Sequence, residues 1–300
     1  MGVFQFSSLG KSLRHLLFNV RPYSWVDLVL LGYLAKFMVT KNLVFELNDL
    51  FFISGLLSLW CFFNIALEAK KKYAYRGNIT FLASLPFMLI GIIIGAVNGV
   101  LPALFAILSI VFCFIYLEKK FNPLLGLASS LVRGIIQIFY FLYVLTFFSN
   151  EIFVFEVVAL SLMILMLYTV RAIIGDLRDI IHDKRAGNST LPILLGEKKS
   201  VLLCSVVLIA TASLQIVFFN FYIASIPVIL FAILLFFYNN GYILHQLSIH
   251  KTSFFSLSMI SAITSQSTVF IALIFLGIFL NSVFYHKLER KSNPKWIAKI

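Results

Sequence analysis

The sequence predicts an all-α integral membrane protein, a bundle of about nine transmembrane helices around a central cavity. Hydrophobic residues make up 61% of its 300 residues and charged residues only 12%, whereas roughly 25% of a soluble domain is charged. The mean hydropathy is +1.00. A soluble protein of this length could not cover so much apolar surface with polar residues, so the composition argues against the soluble class.

Nine apolar stretches each approach the roughly 20 residues that a helix needs to cross a bilayer. The hinges at 97–100 and 148–151 are short and turn-like, which predicts tight hairpins between antiparallel helices. We expect one polytopic membrane domain over residues 1–300, with an N-terminal segment at 1–23 and a basic tail at 284–300. The predicted spans are 24–44, 48–67, 80–97, 100–117, 127–148, 151–172, 200–219, 222–243 and 260–282.

Two further features of the apolar stretches bear on the class of protein. The first stretch begins near Trp25, is a full span long and lacks a small-residue cleavage site, so no cleavable signal peptide is expected. The cysteines Cys61, Cys113 and Cys204 lie far apart inside apolar runs. They form neither a metal-binding pattern nor a disulfide framework, and we expect buried, free thiols.

Basic residues predict the orientation, because positive charge concentrates in cytoplasmic loops. With the N-terminus in the cytoplasm, only Lys41 falls in the short outer loops. The tail at 284–300 is an exception: either the last span does not cross fully, or upstream helices fix the topology. Anionic lipid explains the net charge of +12 without a nucleic acid partner. The inner basic residues are Lys11, Arg14, Arg21, Lys70, Lys71, Lys72, Arg76, Lys119, Lys120, Arg171, Arg178, Lys184, Arg185, Lys198, Lys199 and Lys251.

Three of the five aspartates of the chain, Asp176, Asp179 and Asp183, lie at the inner end of the sixth predicted span. Their spacing of i, i+3 and i+7 places all three carboxylates on one stripe of a helix. Carboxylates on one face repel one another unless a cation lies between them. An oxygen-rich site of this kind suits Mg²⁺ bound together with substrate phosphates. The alternative is a solvated helix end whose acids are neutralised by neighbouring basic residues.

A second polar face lies at the inner end of the second predicted span. Asn64, Glu68 and Lys72 are spaced i, i+4 and i+8, and Arg76 follows. Polar groups that lead from an apolar helix into a basic loop predict an anion site. The alternative is a basic anchor that only fixes the orientation of the helix.

The pattern Asp176-x-x-Asp179-x-x-x-Asp183, followed by Gly187, Thr190-Leu191-Pro192 and Leu195-Gly196, resembles the second aspartate-rich motif of the UbiA superfamily of intramembrane prenyltransferases. Two weaker matches support the resemblance. Arg21-Pro22-x-x-Trp25 is similar to the entry signature of that family, and Tyr116 with Lys119 and Lys120 is similar to its Tyr-and-Lys segment. The resemblance implies nine helices with both motifs on the cytoplasmic side.

The first aspartate-rich motif departs from the family pattern Asn-Asp-x-x-Asp-x-x-x-Asp. Asn64 and the acidic Glu68 remain, but Ile65 and Lys72 replace two aspartates. In the family this motif helps to hold the diphosphate through Mg²⁺, so the change weakens one expected metal site. Lys72 could contact a phosphate directly as a point charge.

The resemblance implies a Mg²⁺-dependent transfer of a prenyl group from an isoprenyl diphosphate to a hydrophobic, lipid-phase acceptor, most simply an aromatic quinone or phenolic precursor. The alternatives are a non-aromatic acceptor or a cyclisation at the same site, or an impaired family member that binds isoprenoid lipid or a partner protein. A transporter is disfavoured, because mid-span charges that could mark an ion path are nearly absent; Lys36 and Arg133 are the main candidates. The implied catalytic and metal-binding residues are Asp176, Asp179, Asp183, Asn64 and Glu68. The implied substrate-binding residues are Lys72, Arg76, Tyr116, Lys119, Lys120 and Arg171.

Overall fold

The computed structural model describes residues 20–42, 44–70, 81–118, 122–152, 154–185, 187–219, 222–237 and 241–264, and it is all-helical within these ranges. Six of the described helices are long and apolar enough to cross a membrane, and 225–237 forms a shorter apolar one. The predicted fold class is therefore confirmed. The helices are α1 (Trp25–Thr40), α2 (Leu47–Lys70), α3 (Leu85–Asn98), α4 (Val100–Leu117), α5 (Pro123–Phe148), α6 (Phe155–Arg185), α7 (Leu191–Leu195), α8 (Glu197–Phe219), α9 (Tyr222–Phe237) and α10 (Gly241–Thr264).

Helices that follow one another in the chain mostly pack side by side, as short connections require. The short helix α7 contacts α6 and does not separate α6 from α8, because α8 also packs directly on α6. Helix α10 packs on α1 and so closes the bundle. Helices α5 and α6 pack against each other, while α1 also contacts α5 and α10 also contacts α6. These four helices therefore form a closed ring of contacts.

Close contacts between α2, α3 and α5 hold one side of the bundle. The Tyr140 hydroxyl donates to the carbonyl oxygen of Leu59 at 3.2 Å, and the Tyr143 hydroxyl donates to that of Gly91 at 3.3 Å. A Cβ atom on Gly55 would lie 2.1 Å from the Tyr143 hydroxyl. Glycine is needed there because helices in lipid associate through close packing and interhelical hydrogen bonds.

A buried ion pair joins α1 to α2 at the end of the bundle remote from the aspartate stripe. The Lys36 ammonium donates to both carboxylate oxygens of Asp49, at 2.8 and 2.9 Å, and to the carbonyl oxygen of Val44 at 2.8 Å. Both charged side chains are fully buried. Lys36 therefore acts as a structural cation that ties α1 to α2.

The C-terminal part of the chain differs from the prediction. The predicted spans leave residues 244–259 as an inner segment between 243 and 260, but these residues lie within α10. Lys251 is consequently buried, and its ammonium donates to the carbonyl oxygen of Leu167 at 3.3 Å. A hydropathy window misses this helix because the polar residues of its buried face lower the average. The predicted span 260–282 lies mostly outside the described residues, as do the segment 1–19 and the tail 284–300.

The three cysteines are free and buried, as predicted from their apolar surroundings.

Candidate active site

A cavity of about 110 Å³ lies among α2, α4, α5, α6, α10 and the residues just before α1. Its wall combines carboxylates and arginines with aromatic rings, inside a bundle that is otherwise apolar. The lining residues are Arg21, Ser24, Trp60, Leu67, Tyr116, Arg133, Tyr168, Arg171, Ala172, Gly175, Asp176, Arg178, Asp179, Asp183 and His245.

The aspartate stripe is on one continuous helix, because α6 extends without a break to Arg185. Asp176, Asp179 and Asp183 all line the cavity, as their spacing predicts. Asp176 is buried, whereas Asp179 and Asp183 are partly exposed. The stripe therefore runs from the interior of the bundle towards the end of α6.

Each aspartate of the stripe accepts a hydrogen bond from a different element. The Ser130 hydroxyl on α5 lies 3.4 Å from Asp176. The guanidinium of Arg178 makes two bonds to Asp179, at 2.8 and 2.9 Å. The Asn188 amide donates to Asp183 at 2.7 Å. The carboxylates are thus held apart and oriented by separate donors.

The turn after α6 supports Asp183. Gly187 has φ +70°, a left-handed conformation that favours glycine. The Asn188 backbone N–H donates to the carbonyl oxygen of Asp183 at 2.9 Å. The turn also abuts the start of α5, where a Cβ atom on Gly126 would lie 1.6 Å from the carbonyl oxygen of Ser189. Gly187 of the second motif and the neighbouring Asn188 therefore have a structural role.

Arg171 lines the cavity, and its guanidinium is bonded to residues of α1 and the turn before it. It donates to Asp27 and, at 2.9 Å, to the Ser24 hydroxyl. The Tyr168 hydroxyl also donates to Asp27, at 3.2 Å. This buried network fixes α1 against α6 at the cavity wall, so that any contact between Arg171 and a substrate would be made by a preoriented side chain.

Arg133 on α5 has different surroundings. Its guanidinium carbon lies 4.5 Å from the ring centre of Trp60 and 4.2 Å from that of Phe63. Its Nη1 atom is buried without a hydrogen-bond partner among the described residues. Cation–π contact with two rings on α2 therefore holds this cation in the cavity wall.

The remnant of the first motif lies beside the cavity on α2. Glu68 accepts a hydrogen bond from Arg21 at 2.9 Å, which links the motif to the segment before α1. The Asn64 amide donates to the carbonyl oxygen of Trp60 at 2.8 Å, and its Oδ1 atom is buried without a partner in the described structure. Ile65 packs with Val20 and Cys61 in a small apolar cluster.

The remaining predicted site residues divide into two groups. Tyr116 lines the cavity, and its ring lies 5.4 Å from that of Phe63. Lys72, Arg76, Lys119 and Lys120 lie outside the described residues, so their roles stay predictions.

The donor atoms fit a divalent cation only in part. Within the described ranges, no three His, Cys, Asp or Glu residues come close enough together to hold a metal ion by themselves. The carboxylates in the cavity wall and the unpartnered Oδ1 of Asn64 are nevertheless hard oxygen donors of the kind that Mg²⁺ prefers. Because Mg²⁺ commonly takes one or two carboxylates and completes its shell with substrate phosphates, the residues fit a shared metal–phosphate site.

Sequence reasoning missed His245, Ser24 and Asp27. His245 lies on α10, where it lines the cavity and contacts Arg178 at 3.1 Å through its Nδ1 atom. For Asp27 the available signal was an ionisable residue inside an apolar span, which is uncommon without a partner or a function. Ser24 and His245 carried no such signal, because Ser24 is not ionisable and His245 falls in the predicted inner segment.

The fold and the cavity define a polytopic membrane protein with a charged site enclosed by its helices. The chain belongs to the UbiA prenyltransferase family, whose model matches residues 74–260. The match includes the aspartate stripe and begins after the altered first motif.

Two curated relatives are digeranylgeranylglyceryl phosphate synthases. The chain is 28% identical over 178 residues to the one from Methanobrevibacter smithii, covering 58% of this chain and 60% of that protein. It is 30% identical over 164 residues to the one from Methanosphaera stadtmanae, covering 55% and 56%. The matched part therefore spans less than two thirds of these relatives.

Solved structures share the fold. One, from a study of digeranylgeranylglyceryl phosphate synthase in membranes, has a TM-score of 0.62 at 18% identity and covers 85% of this chain and 99% of that chain. A UbiA homologue from Archaeoglobus fulgidus bound to GPP and Mg²⁺ has a TM-score of 0.62 at 15% identity, with coverages of 88% and 99%. The apo UbiA homologue from Aeropyrum pernix K1 has a TM-score of 0.61 at 14% identity, with coverages of 80% and 98%.

Proposed function

We propose that this chain transfers a prenyl group from an isoprenyl diphosphate to an acceptor dissolved in the membrane. The observation that carries the proposal is the aspartate stripe in a cavity that also contains arginines, within a bundle of the UbiA family. In such a transfer the carbon–oxygen bond to the diphosphate breaks, a bond from the prenyl carbon to the acceptor forms, and the acceptor releases the proton of its reacting O–H or C–H group to water or to the departing diphosphate. The departing diphosphate gathers negative charge, which fixed cations and hydrogen-bond donors stabilise.

In this proposal Asp176, Asp179 and Asp183 on α6 hold Mg²⁺. Asn64 and Glu68 on α2 provide further oxygen ligands from the opposite side of the site. When bound, the ion neutralises charge on the diphosphate oxygens. Arg178 and Asn188 orient two of the carboxylates, and Arg171 stabilises the cavity wall next to them. The relative from Archaeoglobus fulgidus that was solved with GPP and Mg²⁺ supports this choice of donor and ion.

The acceptor is the less defined part of the reaction. The family resemblance implies an aromatic acceptor. The two curated relatives instead are named for a glyceryl phosphate product, which favours a polar lipid acceptor. We also propose that the N-terminus and the loops at the site face the cytoplasm, in agreement with the distribution of basic residues.

The test is prenyl transfer by purified protein with geranyl diphosphate, Mg²⁺ and a panel of phenolic and glyceryl phosphate acceptors. Asp176→Asn and Asp183→Asn should each lower turnover by about 100-fold or more, because a carboxylate that would hold the ion stabilising the departing diphosphate is lost. Glu156→Gln is a matched control, since it removes an exposed acid from the opposite end of the same helix. Full activity in both aspartate variants would contradict the proposal.

A second candidate is an impaired family member that binds isoprenoid lipid without turning it over. The burial of Ile65 in an apolar cluster favours it, because one motif aspartate is absent and its place is filled. Saturable binding of geranyl diphosphate without product formation from any acceptor would support this candidate. Product formation that depends on Mg²⁺ would exclude it.

A further inference from the structure

Four arginines line the cavity, and three of them are paired with a carboxylate. Each of these pairs brings a guanidinium nitrogen to within hydrogen-bond distance of an acid, so that the charges largely compensate. The three pairs are Arg21 with Glu68, Arg171 with Asp27, and Arg178 with Asp179.

Arg133 is the exception among the described residues. No carboxylate there lies within ion-pair distance of its guanidinium, and its neighbours are the rings of Trp60 and Phe63. These rings attract the cation but leave the buried Nη1 donor unbonded. An arginine stays protonated in proteins, and a buried charge without a partner is costly. The site therefore has the properties of an incomplete anion site.

The position of Arg133 along α5 separates it from the aspartate stripe. Gly126 abuts Ser189, Ser130 bonds to Asp176, and Gly134 packs on Leu165 and Thr169. Because α5 and α6 run antiparallel, moving along α5 from Gly126 to Gly134 leads into the bundle. Arg133 is thus three residues beyond Ser130, or about 4.5 Å deeper along the helix axis.

On the basis of the proposed function, we infer that Arg133 binds an anionic group, a phosphate or a carboxylate, of the acceptor substrate. The donor diphosphate has its own site at the aspartates, which leaves this deeper cation for a second ligand. A guanidinium suits either anion, because its planar donors make paired hydrogen bonds to their oxygens. Specificity follows from the same contact, since a neutral acceptor would leave the buried charge unpaired.

The experiment measures binding, so that a failure of turnover would not affect it. Purified protein in detergent is titrated with 1-oleoylglyceryl phosphate and with 1-oleoylglycerol, which differ only in the phosphate. 4-Hydroxybenzoate and phenol form a second pair that differs only in the carboxylate. Geranyl diphosphate with Mg²⁺ is titrated separately as the donor probe.

The wild-type protein should bind the charged member of at least one pair about tenfold or more tightly, since a charge-assisted contact is gained. Arg133→Met should abolish this preference and leave the affinity for geranyl diphosphate unchanged. Lys198→Met, which removes an exposed cation on α8, is the control and should preserve both affinities.

Three results would overturn the inference. The first is wild-type protein that shows no preference for the charged member of either pair. The second is an Arg133→Met variant that keeps the preference. The third is an Arg133→Met variant that loses affinity for geranyl diphosphate to the same extent, which would assign Arg133 to the donor. If Arg133→Met does not fold, Arg133→Lys decides, because lysine keeps the charge but not the paired geometry. It should weaken the preference several-fold, and an unchanged preference would contradict the inference.

Discussion

Ile65 occupies the place of an aspartate in the family pattern, and its surroundings match the side chain that is present. It is fully buried and packs with Val20 and Cys61, next to Trp25 and Phe87. The altered residue therefore contributes to packing between α2 and the segment before α1.

This packing leads to a prediction about restoring the family residue. Ile65→Asp should destabilise the protein by about 3 kcal/mol or more, because a carboxylate would be buried without a partner. The thermal unfolding midpoint in detergent measures the effect. Ile65→Val, which only removes a methylene group, should cost about 1 kcal/mol. Equal midpoints for the two variants would show that position 65 accepts a charge.

Helices α5 and α6 bring the parts of the site together. The C-terminal part of α6 carries the aspartates, the turn after it holds Asp183 through Asn188, and the start of α5 supports that turn. Neither helix contains the whole site, so its geometry depends on how closely they approach.

Gly126 is the position at which this approach can be tested. Gly126→Ala should destabilise the protein by about 1–3 kcal/mol, because the new methyl group would collide with the Ser189 backbone. It should also lower turnover, since the turn that orients Asp183 has to move. Thermal unfolding and the transfer assay measure the two effects.

Gly175→Ala is the control for stability. The added methyl group would lie 3.7 Å from Cδ2 of His245, an ordinary contact distance. We expect little change in the unfolding midpoint of this variant. A Gly126→Ala protein as stable as Gly175→Ala would contradict the proposed role of the close approach.

At the scale of the molecule, the topology is the main feature to be tested. In the proposed orientation the start of α8 is cytoplasmic and the turn between α5 and α6 is external. Lys198 and Asn150 are exposed at these two places, and the three native cysteines are buried. The native protein therefore has a low expected background for thiol labelling.

Asn150→Cys should react with a membrane-impermeant maleimide in intact cells, whereas Lys198→Cys should react only after permeabilisation. The expectation follows from the excess of basic residues in the loops on the side of the membrane where α8 begins. Wild-type protein serves as the background control. The reverse pattern would invert the orientation and place the aspartate stripe outside.

The sequence predicted those features that depend on local periodicity. The stripe of Asp176, Asp179 and Asp183 follows from helical spacing alone. The partners of Lys36 and Arg171 did not follow, because Asp49 and Asp27 reach them through packing between helices. Helix α10 was missed for a related reason: Lys251 is polar in a hydropathy window but is buried among neighbours in the bundle.

The length of α6 has a consequence for the products of the reaction. At 31 residues it is roughly 46 Å long, while the hydrocarbon layer is only about 30 Å thick. In the proposed reaction, the aspartate-bearing end of α6 would project from the lipid. Inorganic diphosphate could then diffuse into water, while the prenylated product would stay in the hydrocarbon layer. Partition into two solvents would then separate the products and oppose the back-reaction.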